Sequence, residues 1–146
     1  RIFFPYGQAA SLLVDSGIDP YRIDQALEKW GMPMGVFKMS DMSGVDIFVH
    51  VSQIINSAYG ERCYNTTLGK QLFEAKRLGQ KTGAGYYKYQ KPPAAIPDAK
   101  GIEPFITQAR QDAKGLVKLD NSKLTDKEII ELVLYPVVNE SYRVVA

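Results

Sequence analysis

The stretch Lys81–Tyr89, reading K-T-G-A-G-Y-Y-K-Y, constrains the fold more than any other part of the chain. It sets a leading lysine, two glycines and three tyrosines within nine residues, a composition that no core helix carries. Gly83 and Gly85 permit positive φ or a close backbone approach, and Tyr86, Tyr87 and Tyr89 supply large anchors at strand-like spacing. The pattern predicts a tight, hairpin-like loop buttressed by aromatic rings, with Lys81 held at a fixed place. Taken alone, the same residues also read as a plain hairpin between helices.

The segments around this loop follow helical spacing. Ile2, Tyr6, Ala9, Ala10 and Leu13 recur at that period, and with Phe3, Leu12 and Val14 they describe a buried helix ended by Ser16-Gly17. Asp19 and Pro20 then open a second helix, with Ile18 and Ile23 placed as a hydrophobic staple. Its inner stripe is Ile23, Ala26, Leu27 and Trp30, and Gly31 closes it. After the Met32-Pro33-Met34-Gly35 turn, one longer helix is predicted to run to Tyr59-Gly60 with Val45, Phe48, Val49 and Ile55 facing inward. Thr66 or Thr67 caps a fourth, which carries Leu68, Leu72 and Ala75 inward and stops at Gly79.

Pro92, Pro93 and Pro97 interrupt all periodicity, so residues 90–101 read as linker, followed by a short helix from Glu103 to Ala113. Thr125 and Glu128 form a capping box for a last helix, within which Pro136 predicts a kink. The organisation expected is a helical domain over 1–90, a linker with a short helix over 91–124, and a further helical segment from 125 to 146. The chain starts without a leader at Arg1-Ile2-Phe3 and stops inside a helical pattern at Val144-Val145-Ala146, which reads as a piece of a longer protein.

Four further motifs stand in order with the glycine-tyrosine loop: R-I-F-F-P-Y from Arg1, G-I-D-P-Y-R-I-D from Gly17, W-G-M-P-M-G-V-F from Trp30 and S-D-M-S-G-V-D from Ser40. In this register the first ninety residues closely resemble the C-terminal helical domain of the 3-hydroxyacyl-CoA dehydrogenases. The chain departs from that pattern at Val36, where the family usually has proline. Setting Phe4-Pro5 over Tyr135-Pro136 gives a weak internal repeat, and Pro136–Glu140 (P-V-V-N-E) is similar to the second helical copy in multifunctional members. The resemblance implies an all-α fold: the helical half of a two-domain dehydrogenase, plus the start of a second helical repeat.

It also implies an activity, NAD-dependent oxidation of L-3-hydroxyacyl-CoA in fatty acid β-oxidation, within an enzyme that also carries enoyl-CoA hydratase activity. The catalytic His and Glu, the NAD-binding fold and a substrate-binding Asn would all lie upstream of Arg1, leaving no catalytic residue here. Lys81 matches the family lysine that reaches across the domain cleft to NAD; an ammonium there offsets phosphate charge or bonds a ribose or amide oxygen. Pro33, Met34, Gly35 and Phe37 form an apolar, adaptable turn suited to the acyl end of the substrate, or to core filling. The partners implied are acyl-CoA, the chain's own upstream dinucleotide-binding domain and a second copy in a homodimer. The implied compartment is the peroxisome, with mitochondrial matrix or bacterial cytoplasm as alternatives.

Composition narrows the rest. A net charge of +2 with both signs interspersed offers no basic face for nucleic acid, and no apolar run reaches a membrane span. Cys63, the single cysteine, reads as a semi-buried thiol, and no metal-ligand cluster is visible. His50, the sole histidine, reads as packed and structural among Phe48, Val49 and Val51. Asp41 and Asp46 read as a helix N-terminal charge and a surface residue rather than an acid and base pair. Two other functions compete with the cofactor-closing role: a non-catalytic helical interaction or dimerisation module, and the helical half of a dehydrogenase for small hydroxy acids.

Overall fold

A computed structural model describes residues 1–91 and 94–146; Pro92 and Pro93, counted in the expected linker, lie outside the described residues. The fold is all-α. Its helices are α1 (Phe4–Ser16), α2 (Pro20–Trp30), α3 (Val36–Ser43), α4 (Val45–Tyr59), α5 (Leu68–Glu74), α6 (Ala99–Asp112) and α7 (Asp126–Val145). Two short strands, β1 (Tyr87–Lys88) and β2 (Ile96–Pro97), pair antiparallel with Tyr87 opposite Pro97 and Lys88 opposite Ile96.

The local signals explain most boundaries. Asp19 accepts the Tyr21 N–H at 2.7 Å and Pro20 takes the first position of α2, where its missing N–H costs nothing. Gly31 ends α2 at φ 125°. Val36 is the first residue of α3, a position whose N–H has no intrahelical partner and which accepts valine as well as proline. The Thr125–Glu128 capping box forms in both directions, and α7 runs through Pro136 as one element.

The single long helix expected after the Met-Pro-Met-Gly turn is two helices. Gly44 adopts φ 105°, which no continuing helix tolerates, and its carbonyl accepts Phe48 N–H to restart the chain as α4. The fourth helix ends at Glu74, five residues before Gly79, because Lys76 turns into the left-handed region at φ 59°. Arg77 N–H then closes back on the Leu72 carbonyl at 2.9 Å, and Ala75 is left exposed. The helix expected from Glu103 begins at Ala99; Pro104 lies just beyond the first turn, where it forfeits one backbone bond.

The core joins the inner faces of these elements: Tyr6, Ala10, Val14, Ile18, Ile23, Leu27, Val45, Leu68, Leu72, Ile102, Ile129 and Val133 are all essentially closed to solvent. Burying each Leu, Ile or Val stabilises by about 1.5–3 kcal/mol before the entropy of ordering is set against it. Trp30 is 58% exposed rather than part of the inner stripe, because it occupies the last residue of α2, where no neighbour covers it. Ile2 and Phe3 are likewise exposed, preceding the first turn of α1.

Helix α7 packs on α1 and α2, and α6 packs on α1 and α5. Gly17 allows the second of these layers to close: at φ 128° it faces the Leu119 carbonyl so tightly that no side chain fits. Ser16 then accepts Leu119 N–H at 2.6 Å, while Arg110 caps the Val14 and Ile18 carbonyls. On the other side, buried Glu140 of α7 takes guanidinium contacts from both Arg1 and Arg62, which also lie over the Tyr59 ring.

Candidate functional site

The Lys81–Tyr89 loop is anchored through backbone N–H groups and through its buried tyrosines. Gln80–Thr82 make one 3₁₀ turn, and Gly83 reverses the chain in the left-handed region at φ 76°. Gly85 has a different task, close approach: a β-carbon there would enter the Asp41 carboxylate. The Thr82 hydroxyl, at 2.9 Å from Leu78 N and 3.0 Å from the Ala84 carbonyl, braces the turn. Tyr86, Tyr87 and Tyr89 are all buried, so they anchor the loop jointly rather than on alternating faces.

Two carboxylates hold that anchor. Asp41 of α3 accepts Tyr86 N and Tyr87 N at 2.9 Å each, and the Tyr89 hydroxyl at 3.1 Å. Asp24 of α2 accepts Phe37 N and Lys38 N at 3.0 Å and the Tyr87 hydroxyl at 2.8 Å. Asp41 is therefore a buried fastener of the loop, not a charge at a helix start. From below, Arg77 donates twice to the Gly85 carbonyl and pairs with Asp98 at 2.8 Å, while the Tyr21 hydroxyl links the Tyr86 carbonyl to Asp98 N. Burial opposes ionisation of Asp98, yet the hydrogen bonds from Lys88 and Arg77 hold it below the usual carboxylate range.

Burial pushes both Asp24 and Asp41 up to about 6, more than their hydrogen-bond donors pull them down. Each carboxyl is thus easier to protonate folded than unfolded, where its ordinary value is 3.8. The stabilisation this brings is complete below 3.8 and lost as pH rises through about 6. Carboxylates held low, such as Asp98, lose their contribution only as pH falls below their unfolded value. Chemical denaturation at pH 5 and 7.5 is therefore expected to show greater stability at pH 5, on the order of 1 kcal/mol for each buried group. The gain should shrink when Asp41 is changed to Asn; greater stability at pH 7.5 would contradict the assignment.

Lys81 leaves this rigid loop toward the α3–α4 corner. Its Nζ lies 2.5 Å from Asp46 Oδ1, with the lysine side chain 47% and the aspartate 21% exposed. The hydrogen bond from Lys81 holds the Asp46 carboxyl below its usual range.

One turn away is an apolar cavity of about 200 Å³, whose lining includes Phe3, Phe37, Met39, Ile47, Phe48 and Val51. Ser40 also faces it, its buried hydroxyl lacking a protein partner. The predicted apolar turn is divided by the structure. Phe37 lines the cavity, packed at a tilt of 41° against Tyr86 with ring centres 4.7 Å apart. Pro33 is exposed, Met34 half-buried, and Gly35 buried against the Asp24 carboxylate with its N–H on Glu28; these three lie outside the lining.

His50 is exposed on α4, edge-on to Phe73 at 6.0 Å, and not packed in the core, because α4 shows most of its length to solvent. Cys63 is half-buried, its thiol 3.2 Å from the Tyr59 carbonyl. Among the described residues no three His, Cys, Asp or Glu side chains come together as a metal site, and no helix is long and apolar enough to cross a membrane.

Residues 1–89 match the family described as 3-hydroxyacyl-CoA dehydrogenase, C-terminal domain. The chain belongs to this family. The glyoxysomal fatty acid beta-oxidation multifunctional protein MFP-a of Cucumis sativus is 40% identical over 146 residues, and its Brassica napus counterpart 43% over 148. The fatty acid oxidation complex subunit alpha of Pseudomonas aeruginosa is 32% identical over 98% of the chain. In each case the chain spans about 20% of the relative's length. Among solved structures, the dehydrogenase part of multifunctional enzyme 1 from C. elegans superposes with a TM-score of 0.68 at 28% identity, over 96% of this chain and 30% of that one. The lysine and the cavity meet at the α3–α4 corner, where Asp46 pairs with Lys81 and Ser43 and Ile47 line the cavity.

Proposed function

We propose that this chain is the helical, cofactor- and substrate-closing part of an NAD-dependent L-3-hydroxyacyl-CoA dehydrogenase acting in fatty acid β-oxidation. The observation that carries the reading is the shared corner: Asp46 holds the Lys81 ammonium over the space Gly44 leaves, while Ser43 and Ile47 beside them line the apolar cavity. A charged donor and an apolar slot thus share one corner, which suits a polar cofactor and an acyl chain.

When bound, NAD supplies the hydride acceptor. Among the described residues no parallel strand feeds a glycine-rich turn into a helix, so this chain's own share of the cofactor contact is Lys81. The phosphate-binding fold and the groups that move the hydroxyl proton belong to an upstream domain of the parent enzyme. Phe37, with Phe3, Met39 and Val51, lines the acyl end, and the Pro33–Met34–Gly35 turn, fixed through Glu28 and Asp24, sets Phe37 in place.

Residues 125–146 are the opening of a second helical repeat in this reading. Supporting it, α7 buries Ile129 and Val133 on one face yet leaves Leu132, Tyr135, Val138 and Tyr142 exposed on the other. The plant relatives named glyoxysomal or peroxisomal favour a peroxisomal parent over a bacterial one.

The 146-residue chain alone is expected to give a flat calorimetric titration with NAD and no oxidation of 3-hydroxyacyl-CoA, since one half-exposed lysine replaces none of the missing phosphate contacts. The parent enzyme should bind NAD and oxidise 3-hydroxyacyl-CoA. Micromolar NAD binding by the isolated chain would overturn the division of labour.

A further inference from the structure

Lys81 is not a free cation. Asp46 takes one of its three donors, and the two side chains lie on a seat that glycine provides. A β-carbon on Gly44 would stand 2.5 Å from Asp46 Oδ1 and 2.9 Å from Lys81 Nζ, so the positive-φ corner both starts α4 and makes room for the pair. Behind the lysine, its loop is pinned by Asp41 and the three tyrosines.

An ammonium and a carboxylate in contact carry no net charge, and a few ångströms away they present a dipole, not a cation. Such a pair attracts a phosphate weakly, with the carboxylate repelling it. It still offers two aimed N–H donors to an uncharged oxygen.

Resting on the assignment of Lys81 to the cofactor, we propose that Asp46 is a positioning residue. It fixes the Lys81 ammonium so that its remaining donors meet a neutral oxygen of the dinucleotide, a ribose hydroxyl or a carboxamide carbonyl, rather than a phosphate. Asp46 acts only through Lys81, so the two must be energetically coupled.

The test is a double-mutant cycle in the parent enzyme, with KM for NAD and for acyl-CoA measured at low and high salt for Lys81→Ala, Asp46→Asn and the double variant, after circular dichroism has confirmed folding. Asp46→Asn is expected to raise KM for NAD about three- to tenfold, leave KM for acyl-CoA unchanged, and keep the wild-type salt dependence. The double variant should match Lys81→Ala alone. A lower KM for NAD in Asp46→Asn, with steeper salt dependence, would mean a phosphate contact that Asp46 opposes, and would overturn the proposal. An unchanged KM in Asp46→Asn beside a raised one in Lys81→Ala would overturn it while sparing the cofactor role of Lys81. Unchanged constants for Lys81→Ala would remove both.

Discussion

Gly85→Ala is expected to lower the unfolding free energy by about 2–5 kcal/mol and to disorder the lysine loop with it. Gly85 is not among the positive-φ residues; what it lacks is space. An added methyl group enters the Asp41 carboxylate on one side and comes within 2.7 Å of Gly79 Cα on the other. Neither can retreat. Asp41 is 1% exposed and accepts three hydrogen bonds from the loop, while Gly79 is itself pressed against the Asp41 backbone. Displacing Asp41 unpairs two buried backbone N–H groups and one hydroxyl, and that loss dominates the cost. Gly83 provides the contrast. Its φ of 76° makes alanine strained there, but the added methyl would meet only the Tyr89 carbonyl at 3.7 Å, so the expected cost is about 1–2 kcal/mol. Urea unfolding of the two variants ranks them, and a Gly85→Ala chain as stable as wild type would show that the loop is not pinned by Asp41.

Much of this arrangement is legible in the sequence, for identifiable reasons. Caps and glycines act locally, so Asp19-Pro20, Gly31 and the Thr125–Glu128 box mark their boundaries directly. The loop from Lys81 is equally visible, because glycines and tyrosines at that density have few uses. What local pattern does not carry is the partner of a buried charge. Asp24 and Asp41 bind backbone N–H groups 13 to 46 positions away, and nothing in their neighbourhoods announces it. Asp46 reads as a surface acid until the fold brings Lys81, 35 positions later, onto it. One signal was available: Asp41-Met42-Ser43-Gly44 sets a glycine inside an otherwise helical pattern, and that glycine splits α3 from α4 and seats the lysine. The Lys76 reversal that ends α5 had no comparable marker, since lysine rarely adopts positive φ.

The cofactor role of Lys81 is the centre of the functional reading, and its removal in the parent enzyme tests that reading most directly. Lys81→Ala deletes one charge-assisted donor from a loop whose fold depends on Asp41, Arg77 and the tyrosines, none of which touches the lysine side chain. Because that side chain is 47% exposed, the loss is set at the low end for a charged hydrogen bond, roughly tenfold. Steady-state kinetics with NAD as the varied substrate should therefore show KM for NAD raised, or kcat/KM lowered, roughly tenfold, with the melting temperature of the parent unchanged. Wild-type kinetic constants in a fully folded Lys81→Ala enzyme would contradict the account and return Lys81 to the status of a surface residue paired with Asp46.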